Sequence, residues 1–89
     1  MTVPVTTAVR IRYFAGARAA AGVADEDLVL DGDPTVAVVV SAIGQRHGDR
    51  LGKVLAASSF LLDGVAVRDT SVRVPAGAQL DVLPPFAGG

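Results

Sequence analysis

The 89-residue chain contains no cysteine. Disulfides, cysteine-ligated zinc, iron–sulfur clusters and thiol nucleophiles are therefore excluded, and any covalent chemistry must use another group. Histidine occurs once, as His47, with no cysteine or carboxylate at ligand spacing. It reads as a helix-end residue, not as a metal ligand or a base. An excess of one charge is also missing: 8 basic and 9 acidic side chains leave a formal net charge of −1. That balance argues against charge-driven binding to nucleic acid or to a membrane surface. The longest apolar run, Val36 to Val40, is far too short to cross a bilayer. Met1 to Val9 carries neither a basic segment nor a long apolar one, so no secretory signal is readable and a cytoplasmic location is expected. Ser58 and Ser59 lack a neighbouring general base, and Gly16 and Gly22 form no phosphate-binding loop.

What is present is a chain that should fold. Hydrophobic residues make up 51%, far above the range of disordered sequences, and the length suits a single domain over 1–89 with a modest core. Residues 1–7 read as a loose, polar lead-in. Val9, Ile11 and Tyr13 alternate with Arg10, Arg12 and Phe14, which is the period of a half-buried strand. The alanine-rich stretch from Ala15 to Gly22 suits a short helical turn, and Asp27 to Asp31 a second strand. Asp25-Glu26-Asp27, with Asp31 and Asp33 nearby, matches no calcium-loop spacing and reads as a solvated acidic turn.

Pro34 and Thr35 open a helix ending at His47, with Gly48 as its stop. Val36, Val39, Val40 and Ile43 fall on one helical face, although the β-branched run itself favours a strand. Asp49 to Ala57 suits a second helical turn. Phe60-Leu61-Leu62, Asp63-Gly64 and Val65-Ala66-Val67 together form a hairpin signal, and Gln79 to Leu83 is the last strand. The expected fold is α+β: a mixed sheet of about five strands with one main helix packed across it.

After the last strand come Pro84-Pro85-Phe86-Ala87-Gly88-Gly89. Two prolines lack the donors that a sheet ladder needs, so the chain must leave the fold here. Six extended residues reach at most about 20 Å, enough to enter a pocket on another protein. Taken alone, a Gly-Gly end would read as a frayed terminus.

The element order and this ending together resemble the β-grasp, ubiquitin-like sulfur carriers, and more narrowly the small subunits of molybdopterin synthases. The likeness is carried by Val9-Arg10-Ile11-Arg12-Tyr13-Phe14-Ala15 followed by Arg18, by Pro34-Thr35-Val36, by Asp63-Gly64 and above all by Pro84-Pro85-Phe86-Ala87-Gly88-Gly89. It spans roughly residues 8–89.

The resemblance implies a carrier that is not an enzyme on its own and binds no cofactor or metal itself. A separate adenylating, E1-like enzyme would use ATP to activate Gly89, and a sulfur donor would convert it to a thiocarboxylate. The tail would then enter the active site of the large subunit, which would pass the sulfur to a pyranopterin precursor. A terminal carboxylate has a pKa of about 3.5 and at neutral pH resists nucleophiles, which is why activation is required. Gly88 and Gly89 can adopt backbone angles closed to other residues, Ala87 keeps the tail slim, and Pro84 and Pro85 stiffen its root. Related readings are a carrier for thiamine thiazole or cysteine synthesis, a ubiquitin-like modifier joined to lysines through Gly89, and an interaction module with an inert tail.

Strand parity adds a docking surface. If Val9, Ile11 and Tyr13 face the helix, Phe14 faces away, and Leu61 and Leu83 point outward by the same rule. In the fold that the resemblance implies, the first and last strands lie side by side and parallel. Phe14 and Leu83 then share one end of the sheet beside the tail root. Phe14, Leu61, Leu83, Pro84, Pro85, Phe86 and Ala87 are the expected partner-binding residues. Arg10 and Arg12 read as a solvated face more readily than as the polar rim of that surface.

Overall fold

Buried residues alternate with exposed or half-buried ones along strand β1 (Thr6–Tyr13), the first element of the computed structural model, which describes residues 5–85. Val9, Ile11 and Tyr13 are all buried, while Arg10 and Phe14 are exposed. The strand begins earlier than Val9, so Thr6 and Thr7 are not part of a loose lead-in. They pair with Asp31 and Leu30, and the buried Thr7 hydroxyl donates to the Gly32 carbonyl at 2.7 Å. A hydroxyl that finds such an acceptor is tolerated at an inward position, and this is the reason a polar segment continues the strand.

Helix α1 (Ala15–Ala21) follows and is closed by the Gly22 N–H donating to the Arg18 carbonyl at 2.9 Å. Strand β2 (Asp25–Asp31) returns antiparallel to β1 and includes Asp25 and Glu26, so the acidic stretch is strand and not turn. Helices α2 (Val36–His47) and α3 (Asp49–Ala57), then strands β3 (Ser59–Leu62), β4 (Val65–Ala66) and β5 (Gln79–Leu83), are the remaining elements among the described residues. The sheet order is β2-β1-β5-β3-β4, with β5 parallel to β1 and antiparallel to β3. This mixed five-stranded sheet, with α2 as its main helix, is a β-grasp fold.

The conflict within α2 between helical periodicity and β-branched composition is settled by burial. Val36, Val39 and Ile43 have no exposed surface. Fully burying such a side chain gains about 1.5–3 kcal/mol, whereas helix propensity costs at most about 0.7 kcal/mol per residue. Tertiary packing therefore wins. The first amides of α2 are satisfied from three directions: Val36 and Ala37 donate to the Val72 and Thr70 carbonyls, both at 3.0 Å, and Val38 donates to the Thr35 hydroxyl at 3.3 Å. The loop before β5 is thereby tied to the start of the helix, and Val74 is buried beneath it.

Gly48 joins α2 to α3 at φ 93° with nothing within 4 Å of a Cβ placed there, so backbone angle and not space calls for glycine. Leu51 and Leu55 of α3 enter the same buried cluster as Val9, Ile11, Ile43, Leu80 and Val82. In the β3–β4 hairpin, Asp63 and Gly64 take φ values of 48° and 82°, as a two-residue Asp-Gly turn requires. Asp63 also exchanges bonds with Gln79: its N–H donates to the Gln79 carbonyl and its carboxylate accepts from the Gln79 N–H, both at 2.9 Å.

Candidate functional site

Of the expected site residues that the structure describes, Phe14, Leu83, Pro84 and Pro85 lie at the end of β5. That strand is the middle one of five, held on one side by β1 and on the other by β3. Its last pairs are Tyr13↔Val82 toward β1 and Ser59↔Leu83 toward β3, and the Phe14 N–H donates to the Val82 carbonyl at 3.2 Å. Pro84 is half-buried and Pro85 exposed, so the chain leaves the sheet immediately after Leu83. Two hydrogen-bonded ladders hold this exit point, which gives the root of the tail a set position and direction relative to the sheet. Phe86, Ala87, Gly88 and Gly89 lie outside the described residues.

Parity places Phe14 and Leu83 at one end of the outer face, as expected. Phe14 is 37% exposed, whereas Leu83 and Leu61 are half-buried. Leu61 lies one row further along, opposite Asp81. The patch is thus smaller than three fully exposed side chains would make it.

Its centre is charged. Arg12 and Asp81 are cross-strand neighbours, and the guanidinium grips the carboxylate in a bidentate fork, Nε to Oδ1 at 2.8 Å and Nη2 to Oδ2 at 2.9 Å. Asp81 is only 4% exposed although it points away from the core, and the Arg12 Cζ stands 5.3 Å from the centroid of the Phe14 ring. Carboxylate, guanidinium and aromatic face therefore form one stack. Arg10, one row away, donates to Asp27 and Asp25, each at 2.9 Å. The hydrogen bonds to Asp27 and to Asp81 hold the two guanidinium groups further into their protonated range. Both arginines are solvated, as expected, with side chains 47% and 43% exposed, and each is also paired with a carboxylate on a neighbouring strand. The cue was available in outline, since parity puts Arg12 and Asp81 on the same side, but the register between first and last strands is not a local property of sequence.

A second polar cluster closes the far side of the core. Glu26 accepts from the Tyr13 hydroxyl at 2.6 Å, shares a hydrogen bond with His47 Nε2, and lies 3.4 Å from Arg46 Nη1. Tyr13 and His47 also meet edge to face at 5.8 Å. Burial, and then the bond to Glu26, pushes the Tyr13 phenol well above its usual range. Burial alone would raise Glu26, but the hydrogen bonds from Tyr13 and His47 and the charges of His47 and Arg46 together hold it below the usual carboxylate range. His47 is indeed at a helix end, and it has a carboxylate partner that spacing along the chain could not reveal. The cluster clamps the C-terminus of α2 to β2, and among the described residues no buried side-chain polar atom lacks a hydrogen-bond partner.

Two concavities lie elsewhere. One of about 600 Å³ runs between α2 and α3 past Gly44, Gly48, Gly52 and Lys53, and another of about 390 Å³ sits beside β4 against Val65, Val67 and Val72. Neither is lined by a residue of the tail root. Among the described residues no three His, Asp or Glu side chains converge as metal ligands, and no helix is long and apolar enough to cross a membrane.

The model of the ThiS family matches residues 11–89. No curated protein matches the sequence. Among solved structures, SAMP1 of Haloferax volcanii, a small archaeal modifier protein, is 26% identical, with 92% of this chain and 99% of that chain covered and a TM-score of 0.81. A Pyrococcus furiosus protein described as molybdopterin converting factor subunit 1 is 24% identical, over 90% of this chain and 99% of that chain, with a TM-score of 0.81. The complex of subunits 1 and 2 of the molybdopterin-converting factor of Helicobacter pylori contains a chain 19% identical, over 93% of this chain and 100% of that chain, with a TM-score of 0.64.

Proposed function

Because the chain belongs to the ThiS family of ubiquitin-like sulfur carriers, we propose that it carries sulfur as a thiocarboxylate on Gly89 and, as the small subunit of a molybdopterin synthase, delivers it to a pyranopterin precursor. The observation that carries this reading is that the family match continues through the terminal Gly88-Gly89. The rooted exit of the tail from the central strand suits it. The molybdopterin assignment draws on the Pro84-Pro85 root and on the fold shared with the Helicobacter pylori subunit, whose complex with subunit 2 is the precedent for a large-subunit partner here.

The chemistry follows from the carboxylate. An adenylating enzyme joins the Gly89 carboxylate to AMP, releasing pyrophosphate from ATP. A sulfide equivalent then attacks the carbonyl carbon, a C–S bond forms, the bond to AMP breaks, and the thiocarboxylate remains. The chain supplies a reactive end and the partners supply the catalytic groups. Phe14, Leu61 and Leu83 form the apolar contact and Pro84 to Ala87 the passage into the partner.

Deletion of Gly89 tests the reading. The truncated chain should keep its melting temperature and its affinity for the large subunit, while cofactor synthesis in the reconstituted complex is abolished. Synthesis sustained by the truncated chain would end the carrier assignment. A second reading, a ubiquitin-like modifier, is favoured by the 26% identity to SAMP1 and predicts lysine-linked adducts of cellular proteins.

A further inference from the structure

Arg12 occupies the middle of the expected docking face with two of its five N–H donors given to Asp81. Nε and Nη2 are committed to Asp81, whereas Nη1 has no acceptor among the described residues, and the side chain is 43% exposed. Phe14 stands against the same guanidinium. A protein surface that excludes water from the Phe14 ring therefore also strips water from Nη1. Arginine cannot escape by losing its proton, so a wholly apolar partner surface would bury an unpaired donor, and a surface with an oxygen acceptor at that point would not.

The surrounding charge narrows the partner further. Arg10 and Arg12 face Asp25, Asp27 and Asp81, two positive against three negative, which leaves −1 on this part of the face. The excess lies toward the edge strand β2, where the Asp27 side chain is 71% exposed. Complementarity calls for a basic rim there.

We propose that Arg12 is a specificity-determining residue for docking onto the adenylating enzyme: the enzyme covers Phe14, Leu61 and Leu83 with an apolar surface that places an oxygen acceptor against Arg12 Nη1 and a basic rim toward Asp27. The inference rests on the carrier reading above. It assigns Asp81 as a positioning residue, since the carboxylate fixes the guanidinium and, through it, the ring of Phe14. It also makes the face selective, because the acceptor is rewarded and its absence penalised at one atom.

The test is ATP–pyrophosphate exchange by the adenylating enzyme of the same organism, titrated with the full-length carrier. Arg12→Met alone leaves Asp81 buried without its partner and can fail to fold. The pair Arg12→Met with Asp81→Leu replaces the ion pair with apolar groups of similar size and removes that hazard. Loss of one charge-assisted hydrogen bond predicts that the double variant needs about ten- to a hundredfold more carrier for half-maximal exchange, at an unchanged maximal rate and near-native melting temperature. Arg12→Lys, which keeps the charge but not the fork, should show the same weakening. A double variant that saturates the enzyme at the wild-type concentration, or lower, overturns the inference while leaving the carrier reading intact. Absence of any exchange with the unaltered chain overturns the carrier reading, and this inference with it.

Discussion

Replacing Glu26 with glutamine should detach the end of α2 from the sheet in a pH-dependent way. The Glu26 side chain is 13% exposed and its two oxygens serve Tyr13, His47 and Arg46. Glutamine keeps the shape and one acceptor oxygen but loses the charge and the second acceptor. Hydrogen bonds to a charged group contribute about 1.5–3 kcal/mol, so the loss at neutral pH should be about 2 kcal/mol. In a domain of this size that corresponds to a fall in melting temperature of roughly 8–16 °C.

The sign with pH follows from the direction of the shift. Glu26 is held below the usual carboxylate range in the folded protein. Its contribution is therefore fully present above the unfolded value of about 4.3, and it disappears as pH falls through the lower folded value. Urea titrations followed by circular dichroism at pH 7 and at pH 2.5 should show a wild-type advantage that is largest at pH 7 and much reduced in acid. Equal stability of the two proteins at pH 7, or a gap of the same size at both pH values, would refute the reasoning.

Other perturbations probe other links. Thr35→Ala removes the side chain that accepts from Val38 and should cost about 1 kcal/mol in a denaturant titration. Leu80→Ala opens the centre of the core, where Leu80 has no exposed surface, and should cost about 2–5 kcal/mol, enough to leave a measurable unfolded fraction at 37 °C. Phe14→Ala should change stability by under about 1 kcal/mol, because the ring is 37% exposed, yet weaken binding to the adenylating enzyme at least fivefold by calorimetry.

Much of the fold was legible because local signals agreed with one another. The boundaries of α3 and β5 coincide with those read from sequence, and the Asp63-Gly64 turn falls where the flanking apolar runs place it. In α2 the cap and the helical stripe outweighed the valine run, since the stripe is what the core buries. The misreadings share a cause. Asp25-Glu26-Asp27 has poor intrinsic strand preference, and it is strand because Arg10, Tyr13 and His47 arrive from elsewhere in the chain to satisfy it. The Arg12–Asp81 fork joins residues 69 apart, and no periodicity within either strand reports it. Pairing of the first and last strands, the feature that builds the candidate site, is also the feature least visible along the chain.

The central claim concerns one atom of the terminal carboxylate, and intact-mass spectrometry addresses it directly. The chain should be purified from cells that contain its adenylating enzyme and sulfur donor, and its C-terminal peptide sequenced in parallel. The account predicts a fraction of molecules whose mass reports one oxygen exchanged for sulfur, localised to Gly89 and lost on treatment with alkylating reagent in favour of the alkylated form. A population carrying only the oxygen form, or found solely as lysine-linked adducts, would contradict it.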